Sequence, residues 1–125
     1  MSPTINNGET VYFKVITDDI KRGEIVYMKN PKESYYMIAR IIGLPNEEIK
    51  VKDNKVFVNG QELTEDYVFP ENNKMRLKEG VFKVTANNYF VLGDNRDNSL
   101  DSRYFGVVER DNILALYHST AKKAN

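Results

Sequence analysis

Apolar and polar side chains alternate through much of this chain. Glu9-Thr10-Val11-Tyr12-Phe13-Lys14-Val15 and Glu24-Ile25-Val26-Tyr27-Met28 change character at about every second residue, the period at which a strand buries one face. Gly8 and Gly23 mark the turns that precede them. From Tyr35 to Ile42 the chain is mostly apolar, as suits a strand covered on both faces, so this segment is predicted to be central; Gly43-Leu44-Pro45-Asn46 ends it. Glu48 to Lys52 and Lys55 to Asn59 alternate around Asp53-Asn54, residue types that tolerate the positive φ of a tight hairpin. Asn59-Gly60 offers another turn, and the polar stretch from Gln61 to Gly80 reads as loop with short strand or helical pieces. Val81 to Val84 and Tyr89 to Leu92 resume the strand pattern. Asn112 to Tyr117 is short enough for a strand or a helical turn, and strand is preferred. The expected fold is mainly β, an antiparallel-sheet architecture with little helix, forming one domain over residues 1–125.

Composition narrows what such a fold could do. The chain has 125 residues, 41% of them hydrophobic, enough for one core. Its 18 Lys+Arg balance 18 Asp+Glu, so no long-range field attracts phosphate, and nucleic acid is excluded as the expected partner. The absence of cysteine removes disulfides, thiolate catalysis and Cys-based zinc sites. The one histidine, His118, has no Ser-Asp pattern beside it and is assigned to surface or packing. No metal or other cofactor is expected. There is no run of eighteen apolar residues and no signal-peptide pattern, so any membrane anchor is expected to lie outside these residues.

The least ordinary segment is Gly93-Asp94-Asn95-Arg96-Asp97-Asn98-Ser99-Leu100-Asp101-Ser102-Arg103-Tyr104-Phe105-Gly106. It directly follows a predicted buried strand and is dense in hydrogen-bonding side chains. Aspartates and arginines at this spacing can interlock through charge-assisted hydrogen bonds and hold an irregular loop rigid beside a site. Asp94, Asp101 and Arg103 are the candidates. Read on composition alone, the same residues also suit a solvated turn.

Together with that loop, Met1-Ser2-Pro3-Thr4-Ile5, Gly23-Glu24-Ile25-Val26 and Ile38-Ala39-Arg40-Ile41-Ile42-Gly43-Leu44-Pro45 resemble, in order and spacing, the bacterial type I signal peptidases. The resemblance spans nearly the whole chain and is most specific in the loop. It implies a mostly β domain on the extracytoplasmic face of the cell membrane, anchored by N-terminal spans missing from these residues. The implied activity is serine endopeptidase removal of signal peptides from exported preproteins by a Ser/Lys dyad. It further implies that the nucleophilic serine would stand immediately before Met1, and that the lysine position is occupied by Ala39. Ser99 matches the serine that orients the lysine amine. Asp101 and Arg103 match a structural charge pair, with Asp94 as a further acidic partner. Met1, Ile5, Met37 and Ile38 match pocket-lining positions; Ser2 and Thr4 are weaker candidates.

Serine attacks at neutral pH only when a neighbouring base takes its proton, and lysine can be that base only when burial keeps it neutral. Met37, Ile38, Ile41 and Ile42 would furnish part of such surroundings, but Ala39 carries no amine. Ser2 is no substitute, because a two-residue shift moves the attacking oxygen by roughly 6–7 Å in an extended chain. The chain as written is therefore expected to be inactive, either as a peptidase altered at both dyad positions or as a natural pseudopeptidase that binds or helps assemble exported surface proteins such as pilins. Self-cleaving Ser/Lys repressors share the logic but would not be expected to carry the Gly93 to Gly106 loop. Finally, Ser119-Thr120-Ala121 places small residues two apart, so the C-terminal tail is an expected occupant of a substrate groove, its own or a neighbour's, giving weak self-association.

Overall fold

A computed structural model describes residues 1–75 and 78–121. Ten strands form two antiparallel sheets. The first contains β1 (Val11–Lys14), β2 (Ile25–Lys29), β3 (Tyr36–Gly43), β8 (Asn88–Leu92), β9 (Val108–Glu109) and β10 (Ile113–Thr120), in the order β1-β10-β2-β3-β8-β9. The second contains β4 (Glu48–Lys52), β5 (Lys55–Val58), β6 (Gln61–Glu62) and β7 (Gly80–Lys83), in the order β6-β5-β4-β7. Single 3-10 turns at Pro70–Asn72, Arg96–Asn98 and Arg110–Asn112, and one short helix, α1 (Ser102–Phe105), are the helical pieces among the described residues.

The strands follow the apolar pattern closely. β3 lies inside its sheet, as its run of apolar residues requires. The β4–β5 hairpin turns at Asp53 and Asn54, with φ of 53° and 62°, the left-handed values expected of that pair. Between Gln61 and Gly80 only β6 and the Pro70–Asn72 turn are regular among the described residues. The ambiguous segment after Asn112 is a strand, longer than expected because β10 pairs with β1 and β2 at once.

Alternation along β3 divides the core in two. Ala39 and Ile41, with Met37 packed at the margin, join Val26, Met28, Val91, Phe105 and Leu116 on one side. Ile42 joins Ile49, Val56, Phe90 and Leu92 on the other, between the two sheets. The β3–β8 ladder slips by one residue between Ile41 and Gly43, so Gly43 rather than Ile42 stands opposite Phe90. A β-carbon on Gly43 would stand 2.7 Å from Ile49 Cγ1 and 2.8 Å from Phe90 Cβ, so this crossing requires glycine.

Two features of the first sheet bear on function. β3 pairs with β2 from Tyr36 to Arg40, whereas its pairing with β8 begins only at Arg40. Along Tyr36 to Ala39 the flank away from β2 thus carries no paired strand among the described residues. The second feature corrects the expectation for the tail. Thr120 pairs with Val11, Ser119 pairs with Tyr12, and Ala121 N–H donates to Thr10 O at 2.8 Å. These residues complete a ladder with β1 rather than entering a groove, because backbone pairing satisfies their polar groups continuously from β10 onward. Residues 122–125 lie outside the described residues.

Candidate active site

The site is organised around Gly93, the residue after β8. The β3–β8 register sets Arg40 opposite Leu92 and Ile41 opposite Val91. One step further along that register puts Ala39 opposite Gly93, on the core-facing side that Ala39 shares with Met37 and Ile41. A β-carbon on Gly93 would meet Ser99 Oγ at 2.1 Å and Ser99 Cβ at 2.8 Å. Ser99 therefore occupies the space that a side chain at position 93 would fill. Continued as a strand, Gly93 would turn that space to the sheet face of Ala39. Met1 reaches the same place from the chain's start, its Sδ accepting the Asp94 N–H at 3.4 Å.

This packing yields a direct test. Gly93→Ala is expected to lower stability by about 1–3 kcal/mol through overpacking. Ser99→Gly in the same chain should recover much of that loss, giving a coupling term in a denaturant double-mutant cycle. Additive effects would show that the new methyl meets something other than Ser99.

Asp101 is the hub beneath Ser99. Its fully buried carboxylate accepts Ser99 Oγ–H at 2.8 Å, Gly93 N–H at 3.1 Å, and Arg103 through Nε at 2.9 Å, Nη2 at 3.0 Å and the backbone N–H at 3.2 Å. The last of these caps α1, whose neighbouring Ser102 hydroxyl accepts Val91 N–H at 2.9 Å. A buried carboxylate with this many donors is a rigid anchor. The serine expected to orient a lysine amine thus directs its proton to Asp101.

Asp94 does not join that pair, contrary to the sequence expectation. It lies two residues beyond Leu92, on the face that carries Arg40, and takes Arg40 Nε and Nη2 at 2.8 and 2.7 Å. The diagonal geometry of adjacent strands sets this partnership, while Asp101 is directed beneath Gly93. Thr4 Oγ1 donates to the same carboxylate, fastening the N-terminal segment to the loop. Arg40 also donates Nη1 to Gly23 O at 2.8 Å, and its guanidinium lies 3.9 Å from the centre of the Tyr67 ring. Burial and the neighbouring Glu65 push the Tyr67 phenol up, so it remains a donor. Asp97, at the outer rim, accepts the backbone N–H groups of Met75 and Lys74, which hold its carboxyl below the ordinary range.

Of the residues singled out in the sequence, Met1, Ala39, Ser99, Asp94, Asp101 and Arg103 converge on this place, and Met37 flanks it. Ile38 points to the opposite face of β3, opposite Tyr27 in the ladder, where the Tyr27 and Tyr36 rings stack at 5.6 Å. Ser2 makes a local turn contact instead, donating to Asn6 Oδ1 at 2.7 Å. Ile5 closes the same turn, its N–H donating to Met1 O at 3.1 Å. His118 is exposed on β10.

Residues 1–120 match the family model described as signal peptidase, peptidase S26. The chain belongs to this signal peptidase family. Among its relatives, the signal peptidase I P of Bacillus subtilis subsp. natto is 39% identical over 93% of this chain and 69% of its own length. The probable signal peptidase I-2 of Synechocystis sp. is 38% identical over 91% of this chain but only 55% of its own. The chain thus spans between about half and two thirds of the length of such relatives. A crystal structure of a signal peptidase I from Enterococcus faecalis V583 superposes with a TM-score of 0.69 at 29% identity, over 79% of this chain and 97% of that one.

Sequence reasoning missed four of the residues that meet around Gly93 and Asp94. Arg40 appeared only as a letter of a motif, and Arg96 only as part of the polar loop; Glu65 and Tyr67 lay in a stretch read as loop. Arg96 is buried and donates Nε to Gly93 O at 2.8 Å, with Glu65 opposite its fork. The available signal was an acidic and an aromatic residue two positions apart in an otherwise polar segment, which becomes specific only once partners across the fold are known.

Proposed function

We propose that this chain is the recognition domain of a signal peptidase that holds the signal peptides of exported preproteins on the extracytoplasmic face of the cell membrane, and that it does not cleave them as written. The carrying observation is the meeting of Met1, Ala39 and Ser99 at Gly93, next to the unpaired flank of β3. A preprotein segment in extended conformation adds to Tyr36–Ile38 through main-chain hydrogen bonds, ending where Gly93 stands opposite Ala39. Its alternate side chains then fall on the Met37 and Ala39 face and on the Ile38 face. Small side chains suit the first face, where the Ala39 methyl is fully buried.

In the signal peptidase reaction a serine oxygen attacks the scissile carbonyl while lysine takes its proton and later passes it to the leaving amine. A residue joined ahead of Met1 would have its Cα about 3.8 Å from the Met1 Cα, and the Met1 side chain is held at Asp94. The arrangement therefore has a place for the nucleophile. What it lacks is a proton acceptor: Ala39 offers a methyl group, the Ser99 proton is directed to Asp101, and Asp101 is saturated by donors. Among the described residues no buried side-chain nitrogen or oxygen lacks a partner, so the alanine leaves no orphaned polar group behind. That favours a peptide-binding role, the pseudopeptidase reading, for a chain in which Ala39 is native.

Titrating the protein with a synthetic signal peptide ending in Ala-x-Ala is expected to shift the amide resonances of Tyr36 to Ala39, Gly93 and Ser99 while the peptide stays intact. Shifts confined to other surfaces, or cleavage in a preparation free of host peptidase, would overturn the proposal.

A further inference from the structure

Glu65 and Tyr67 lie outside every motif that marks the family, between β6 and the Pro70–Asn72 turn, yet they join the two arginines that grip the Gly93–Asp94 step. The Glu65 side chain is only 10% exposed, and its carboxylate takes Arg96 Nη1 at 3.0 Å and Nη2 at 2.5 Å. Arg96 Nε in turn holds Gly93 O at 2.8 Å. On the other side, Tyr67 donates its hydroxyl to Glu65 Oε2 at 2.9 Å and lays its ring under the Arg40 guanidinium at 3.9 Å. Arg40 then holds Asp94 through two bonds. The circuit closes on itself: Gly93, Arg96, Glu65, Tyr67, Arg40 and Asp94, with Asp94 following Gly93 in the chain.

We infer that Glu65 and Tyr67 are positioning residues of the proposed peptide site, acting through Arg96 and Arg40 to fix the Gly93–Asp94 peptide and hence the places of Ser99 and Met1 beside it. The inference rests on the reading of that cleft as a peptide site. The physical need is specific. Gly93 has no side chain to anchor it and must stay free of one because Ser99 occupies the space. Asp101 holds its N–H, and the orientation of the peptide that follows is set by what grips its carbonyl and its neighbour. The Arg96–Asn98 turn has no side-chain cap of its own; Arg103 holds its backbone at Arg96 O, and the Arg96 side chain is aimed by a separate partner. Glu65 is that partner, from the end of the second sheet. Tyr67, kept protonated by burial, locks the carboxylate in the orientation that meets Arg96 as a fork. Peptide recognition at the first sheet thereby depends on a segment that follows the last short strand of the second.

The decisive variant is Tyr67→Phe, which keeps the ring under Arg40 and removes only the hydroxyl. Tyr117→Phe is the control, since the Tyr117 hydroxyl bonds Thr120 Oγ1 on the far edge of the sheet. Two readouts are taken: amide hydrogen exchange of Gly93, Asp94 and Ser99 without peptide, and the Kd for the synthetic Ala-x-Ala signal peptide by calorimetry. Tyr67→Phe is expected to speed exchange at these amides by about tenfold and to weaken the peptide by about five- to tenfold, as for one buried hydrogen bond. Tyr117→Phe should leave both unchanged, and Glu65→Gln, if folded, should act in the same direction as Tyr67→Phe and more strongly. Exchange that quickens with no change in Kd makes the pair merely structural and overturns the inference, as does a Tyr67→Phe protein indistinguishable from the control. If the unsubstituted chain binds no peptide, the reading of the cleft falls and takes the recognition role with it, whereas the exchange rates still decide whether the two residues fix Gly93–Asp94.

Discussion

Replacing Arg103 by Ala is expected to lower stability by roughly 3–5 kcal/mol, the cost of leaving a buried carboxylate without its countercharge. Asp101 is fully buried and Arg103 only 5% exposed, so solvent cannot take over the role of the guanidinium. The loss would extend beyond the pair. Arg103 Nη2 also donates to Arg96 O at 2.9 Å, so its removal loosens the turn that carries Arg96 as well as the carboxylate under Ser99. An exposed pair in the same molecule provides the contrast. Lys55 and Glu62 stand 3.7 Å apart with more than half of each side chain in solvent, and Lys55→Ala should cost under about 1 kcal/mol. Urea unfolding of the two variants beside the parent measures both. A midpoint for Arg103→Ala equal to that of Lys55→Ala would show that the loop is held by something other than this pair.

The second large effect concerns chemistry. A chain given a serine immediately before Met1 together with Ala39→Lys is expected to hydrolyse a signal peptide on the order of 10⁴-fold or more faster than a chain with either change alone. Nucleophile and base act as a unit, so half of the pair retains little of the joint effect. The added amine would enter the apolar side of the sheet beside Met37, Ile41, Val26 and Val91, where burial favours the neutral base. Because desolvation lowers the amine's pKa, activity should rise with pH as the neutral fraction grows. Position 39 is tightly packed, so the longer side chain should also cost about 1–3 kcal/mol, and folding is checked by circular dichroism before rates are compared. Equal hydrolysis by the single and double variants, each shown free of host peptidase, would separate the two positions and defeat the dyad reading.

How much of this could be read from the residues alone depends on how local the physical signal is. Side-chain alternation has a period of two and needs only neighbouring residues, so the strands at Glu24 to Met28, Tyr35 to Ile42 and Glu48 to Lys52 were legible. The hairpin at Asp53-Asn54 was legible for the same reason, since the conformation it demands is a property of those two residues. The Gly93 to Gly106 string marked the site, and Asp101 lies only two residues from its partner Arg103.

Partnerships between distant segments were a different matter. Asp94 was expected beside Asp101 and Arg103, which are near in sequence, but its carboxylate meets Arg40, 54 residues away. That pairing follows from a register in which Arg40 opposes Leu92, and register depends on turns, bulges and the burial of both sheets together. The small residues of the tail were compatible with a groove until β10 was seen to run on against β1. Glu65 and Tyr67 carried no periodic signal because they belong to no strand; their roles exist only where two arginines from β3 and the loop come within reach. The unpaired flank of Tyr36 to Ala39 was equally invisible, since which strand edge stays open is decided by where the neighbouring strand ends. The residues alone thus determined the strands and the Asp53-Asn54 hairpin, because those are properties of short segments. Tertiary structure alone decided which charges meet and which edge is open, because each depends on the register between strands far apart in the chain.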